Sequence, residues 1–188
     1  MKVLSLKNII LISALNLLLM VMSAYAGETL KTAAEETPQA FLEGLNGKFR
    51  GRGEAIIELT NRQERVSCKL ANTLADDTKV LSISGICATT QGKASVDGKL
   101  EVVDGKVVGS FLSPFNDSEI TQSHSDFSDG KLVLSTSFVN KDTGNLSRTR
   151  QIVVSNESGG FNSTFQKFDN SAGDYKDTGY VEFSPVGE

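Results

Sequence analysis

Four stretches hold residue types that could do chemistry. Ser123-His124-Ser125-Asp126 brings together two hydroxyls, the only histidine of the chain and a carboxylate. A hydrolytic nucleophile needs its base within hydrogen-bond reach, and the base needs a third group to orient it. In an extended strand, successive side chains face opposite sides, so Ser123 and Ser125 point away from His124 and Asp126. The stretch reads as a polar surface strand, no catalytic residue is assigned, and the chain is expected not to be an enzyme. Cys68 and Cys87 are two thiolates at most, too few for a structural zinc site beside a single histidine, and no metal site is expected. Arg148 and Arg150 are two apart, share parity with Leu146, Ile152 and Val154, and are expected to face an interior where their guanidinium forks could take a ligand carboxylate. The alternative is a parity shift at a bulge, which would leave them solvated. The fourth stretch, Gly47-Lys48-Phe49-Arg50-Gly51-Arg52-Gly53, has the composition of a phosphate-cradling loop or an RNA-binding arginine–glycine segment. A phosphate loop needs a strand before it and a helix after it, and here the order is reversed.

The elements that must carry these residues follow from periodicity. Thr37-Pro38 starts a short helix with Thr37 as its cap, Phe41 and Leu45 on one face, and an end before Gly47. From residue 47 to residue 59 the pattern alternates: Phe49, Gly51, Gly53, Ala55, Ile57 and Leu59 against Lys48, Arg50, Arg52, Glu54 and Glu58, with Ile56 as the exception. The basic residues and the glycines therefore lie on opposite faces of one strand and cannot jointly hold a phosphate. Alternation recurs with Val66, Cys68, Leu70 and Leu74, then with Leu81, Ile83, Gly85 and Cys87. A turn at Asp76-Asp77-Thr78-Lys79 pairs Leu74 with Leu81 and places Cys68 opposite Cys87, so these two are expected to form a disulfide. Further strands carry Val96, Leu100 and Val102; Val107, Gly109 and Phe111; Leu132, Leu134 and Phe138; residues 146–154; Phe161, Ser163 and Phe165; Val181 and Phe183.

Ten short-looped strands with one apolar face predict an all-β fold, an up-and-down antiparallel β-barrel of about ten strands with a short N-terminal helix. Each strand is expected to pair with its neighbour in sequence.

The N-terminus is read apart from the fold. Lys2 and Lys7, an apolar run from Ile9 to Met22 and the small-x-small Ala24-Tyr25-Ala26 make residues 1–26 an export leader cleaved near Ala26-Gly27. Residues 27–36 read as a flexible lead-in and 37–188 as one barrel domain, in a periplasmic or secreted protein. The apolar run is shorter than the ~20 residues that span a bilayer, and aromatic girdles of the outer-membrane type are missing, so no membrane insertion is expected. Without Lys2 and Lys7, the 19 basic residues fall to 17 against 23 acidic, and the net charge moves from −4 to −6. An acidic exported domain is a poor partner for nucleic acid. Asn-x-Ser/Thr matches at Asn116, Asn145, Asn156 and Asn162 read as incidental in a turn-rich chain.

With a short helix before it, the Gly47, Phe49, Gly51 and Gly53 run resembles the opening signature of the calycin superfamily, a Gly-x-Trp. It is similar in particular to the nitrobindin-like branch, where Gly-x-Trp-x-Gly-x-Gly opens a ten-stranded barrel; Phe49 stands in the aromatic position. The resemblance implies an internal cavity for a small apolar molecule. It would also imply haem held by a histidine near the C-terminus, but no histidine follows position 124, so no cofactor is expected.

Two functional readings result. In the first, the barrel binds a small hydrophobic or carboxylate-bearing ligand, with Arg148, Arg150, Phe111, Phe138 and Phe165 as candidate site residues. In the second, the barrel is solid, and an outer apolar patch around Ile56, Val108 and Leu112 serves a structural or interaction role in the cell envelope.

Overall fold

Thr37 is extended, its hydroxyl accepts from the Ala40 N–H at 3.2 Å, and Pro38 supplies a first turn that needs no amide hydrogen. The computed structural model describes residues 36–57, 61–77, 79–113, 118–140 and 144–187. The leader at 1–26, and the lead-in except for Glu36, lie outside the described residues. The helix, α1, spans Pro38–Gly44 and buries Phe41 and Leu42, with Leu45 at its C-terminal cap also buried.

Ten strands follow: β1 Gly47–Ile57, β2 Arg62–Leu74, β3 Leu81–Thr89, β4 Gly92–Val103, β5 Lys106–Ser113, β6 Ser118–Ser128, β7 Lys131–Asn140, β8 Leu146–Ser155, β9 Phe161–Asp169 and β10 Asp174–Pro185. All belong to one antiparallel sheet ordered β5-β4-β3-β2-β1-β10-β9-β8-β7-β6. The first strand pairs with the last, from Phe49 opposite Pro185 to Ala55 opposite Gly179. The sheet thus curls into a nearly closed barrel whose ladder is interrupted at mid-chain, between β5 and β6.

That interruption corrects the expected pairing of every strand with its sequence neighbour. Both strands at the break are irregular. β5 turns to positive φ at Gly109 and at Leu112, and its register to β4 shifts between Asp97 and Lys99. β6 shifts register to β7 between Ile120 and Gln122. Two bulged edges cannot present evenly spaced donors and acceptors to each other. A side chain bridges them instead: the Ser125 hydroxyl donates to the Val107 carbonyl.

The β2–β3 hairpin has the register that its sequence implies, with Leu74 opposite Leu81 and Cys68 opposite Cys87. The two sulfurs are bonded, across Cα atoms 4.1 Å apart. The helix closes one end of the barrel. Asn72 of β2, itself buried, donates to the Leu45 carbonyl at 2.8 Å, and the Asn46 side chain accepts from the Leu74 N–H at 3.0 Å. Phe41 packs on Phe127 of β6 at a ring separation of 5.1 Å.

Candidate ligand cavity

The inward faces of β1, β5, β9 and β10 meet first in an aromatic knot. Phe161 stacks on Phe183 at 4.5 Å and is met edge-on by Phe49 at 5.0 Å and Phe111 at 5.5 Å. Phe49 stands near the start of β1 and Phe183 near the end of β10, so the knot fills the end that α1 closes. Above it lies a buried polar pair, the Gln151 amide donating to the Ser163 hydroxyl at 2.9 Å. An unpaired hydroxyl there would cost desolvation energy, and the pairing removes that cost.

Among the described residues, no side chain fills the interior beyond Gln151. A cavity of about 740 Å³, partly open to solvent, occupies the end where β1 finishes and β10 begins. Its apolar wall is Phe111, Leu134, Phe138 and Phe165, and hydroxyls of Thr136 and Thr149 interrupt it. Lys167 and Lys176 stand at its mouth. The three phenylalanines singled out from the sequence therefore border one space, although they come from β5, β7 and β9. The barrel is solid over only part of its length.

The two arginines are placed otherwise. In β8 the side chains that go inward are Gln151 and Val153, the latter fully buried, whereas Leu146 is 58 % exposed. Arg148 and Arg150 have the opposite parity and lie on the outer face, which corrects the inward orientation read from the sequence. Arg148 lies 3.6 Å from the centre of the Phe168 ring and donates to the Asn170 side chain at 3.1 Å. Arg150 borders the cavity, but its guanidinium sits 4.0 Å from the centre of the Tyr175 ring. The two rings meet edge to face at 5.2 Å, so two cations and two aromatics form one external stack across β8, β9 and β10. β8 turns its mainly polar face, with Thr149 and Gln151, to the interior, so parity with the apolar Leu146, Ile152 and Val154 pointed to the wrong side.

The envelope-patch reading also changes. Leu112 is 4 % exposed, because its positive φ at the β5 bulge turns it inward beside Phe111. Ile56 and Val108 sit on β1 and β5, with three strands between them, and form no patch.

His124 lies on an outer groove of about 520 Å³ along the break, with Ser123, Ser125, Lys99 and Lys106. Among the described residues, no three His, Cys, Asp or Glu side chains converge as a metal site. Ser110, Ile120 and Thr136 border both this groove and the cavity, so inner and outer spaces approach one another at the break. Two exposed carboxylates are held below their usual range. Glu64 is lowered chiefly by the Thr90 hydroxyl and the Gln91 amide, and Asp169 chiefly by the Ser171 hydroxyl. Both anchor turns and neither lies on the cavity wall.

Sequence reasoning passed over Thr149, Gln151, Lys167 and Lys176. Lys167 continues the inward row of Phe161, Ser163 and Phe165, and extending that alternation would have found it. Lys176 could not be found that way. The β10 bulge between Asp177 and Gly179 exchanges the faces of everything before it relative to Val181 and Phe183.

No helix among the described residues is long and apolar enough to cross a membrane. No family model matches the sequence, and no curated protein matches it. Among solved structures, the S-type phycobiliprotein lyase CpeS from Guillardia theta is similar, with a TM-score of 0.57 over 81 % of this chain and 94 % of the lyase at 12 % identity. At that identity the likeness is one of fold: this chain folds as a nearly closed ten-stranded antiparallel barrel of the kind found in that lyase.

Proposed function

We propose that this chain is an exported calycin-type barrel that binds one small hydrophobic ligand in the unfilled half of its interior, without catalysing a reaction on it. The observation that carries the reading is the cavity of about 740 Å³ walled by Phe111, Leu134, Phe138 and Phe165. That volume lies within the range of small-molecule sites, which are concave, mostly apolar and furnished with a few polar groups. Thr136, Thr149 and Gln151 are such groups. A bonded Cys68–Cys87 pair supports export of the chain through an oxidising compartment, with residues 1–26 as its removed leader. The fold likeness to a phycobiliprotein lyase supports the barrel architecture and carries nothing about a ligand.

Removing roughly 300 Å² of ligand apolar surface from water is worth about 7 kcal/mol before association costs, so affinities in the micromolar range are expected for unoptimised compounds. Titration with N-phenyl-1-naphthylamine, a neutral dye that brightens in apolar surroundings, tests this. One dye per barrel is expected, with loss of binding in Thr136→Trp, which fills the cavity. No dye binding by folded wild-type protein, together with no co-purifying molecule in native mass spectrometry, would refute the reading.

A further inference from the structure

Lys167 of β9 and Lys176 of β10 are direct cross-strand partners, and both border the cavity mouth. Lys167 extends the inward row that ends in Phe165, and the β10 bulge turns Lys176 to the same face. Like charges placed opposite each other in an antiparallel pair are destabilising. A neutral residue at either position would relieve that cost. Asp177, the adjacent carboxylate, is already engaged as acceptor for the Gln166 amide at 2.8 Å. Asp169 feels the Lys176 charge only weakly, behind the Ser171 and Ala172 contacts that hold it. Among the described residues no carboxylate forms an ion pair with Lys176. Thr149 faces Lys167 from β8 and adds a hydroxyl to the same rim.

We propose that the ligand is an anionic amphiphile whose carboxylate-class head lies between Lys167 and Lys176, with its apolar tail directed toward Phe165, Phe138 and Phe111. This rests on the cavity being a ligand site, as argued above. It moves the recognition of the anion from the arginines to the lysines. A charge-assisted hydrogen bond from each ammonium, made where apolar walls limit competing water, corresponds to roughly tenfold in affinity or more. Arg148 has no comparable opportunity, since its guanidinium covers Phe168 and donates to Asn170 away from the cavity. Arg150 borders the cavity, but its guanidinium lies over the Tyr175 ring.

The test is calorimetric titration of the purified protein with three twelve-carbon compounds below their micellar concentrations: dodecanoate, dodecanol and dodecyltrimethylammonium. Dodecanoate is expected to bind at least tenfold more tightly than dodecanol, and the cation most weakly. In Lys167→Gln/Lys176→Gln the preference for dodecanoate should vanish while dodecanol binding is unchanged. In Lys167→Arg/Lys176→Arg the preference should persist, which separates charge from any effect of the substitutions on folding. Equal affinity of wild type for dodecanoate and dodecanol would overturn the proposal and leave the cavity reading standing. A preference that survives the double glutamine variant would overturn it as well. If none of the three compounds binds, the proposal falls, and the dye titration decides the cavity reading separately.

Discussion

Replacing Gly53 by Ala tests how this barrel closes. A Cβ at position 53 would lie 1.8 Å from the Tyr180 carbonyl oxygen and 2.7 Å from the Val181 Cα, whereas an ordinary Cβ contact is 3.4–4 Å. Both obstacles are backbone, so no rotamer change relieves them. β10 would have to retreat by well over 1 Å at the ladder that joins the first strand to the last. Overpacking of this kind costs about 1–3 kcal/mol, and loss of two neighbouring ladder hydrogen bonds adds about 1–3 kcal/mol. The expected total is about 2–6 kcal/mol, or roughly 5–20 °C in Tm for a domain of this size. The chain has no Trp, so unfolding in urea is best followed by far-ultraviolet circular dichroism. Gly44→Ala is the control: nothing lies within 4 Å of the place its added methyl group would take at the helix end, and the change should be neutral or stabilising by up to about 1 kcal/mol. A Gly53→Ala protein within about 0.5 kcal/mol of wild type would refute the close approach of β1 and β10 at this point.

Reduction of the Cys68–Cys87 bond, which spans 19 positions, should cost about 3 kcal/mol by freeing the unfolded chain, read as the difference between urea curves with and without reductant; a change below about 1 kcal/mol would contradict this. Gln151→Leu strands the fully buried Ser163 hydroxyl and should cost about 1–3 kcal/mol, while Gln151→Leu with Ser163→Ala should recover most of it; equal losses in the two variants would show that the pair is not coupled. Asp169 has a folded-state pKa below its ordinary value, held there first by the Ser171 hydroxyl, so the stability it confers is present above about pH 4 and lost as pH falls through the lower folded value. Asp169→Ala should therefore show a shallower loss of stability below about pH 4 than wild type, and superimposable profiles would exclude the contribution.

Much of this architecture is legible in the residues alone, because local physics decides it. The Thr37 cap and Pro38 start a helix wherever they occur with an apolar face to bury. Alternation sets which residues of β1, β2, β3, β7 and β9 go inward, since each has one consistently apolar face. The turn at residues 76–79 fixes a register, and that register brings Cys68 to Cys87 without any knowledge of the barrel. Phe111, Phe138 and Phe165 were recognisable as interior residues for the same reason. The remainder lies where local pattern and burial part company. β8 carries Leu146, Ile152 and Val154 on its outer face, and only its neighbours show that Gln151 and Val153 face inward while Arg148 and Arg150 stack on Phe168 and Tyr175. Bulges at Leu112 and between Asp177 and Gly179 exchange faces part-way along a strand, an effect invisible to a count of two. The ladder break between β5 and β6 depends on two irregular edges meeting in space. The cavity depends on how far the aromatic knot reaches up a barrel whose girth is set by all ten strands. Side chains lining such a cavity need not be apolar, so Thr149, Gln151 and Lys176 carry no hydrophobic signature: their position comes from the closure of the sheet, and their sequence neighbours do not encode it.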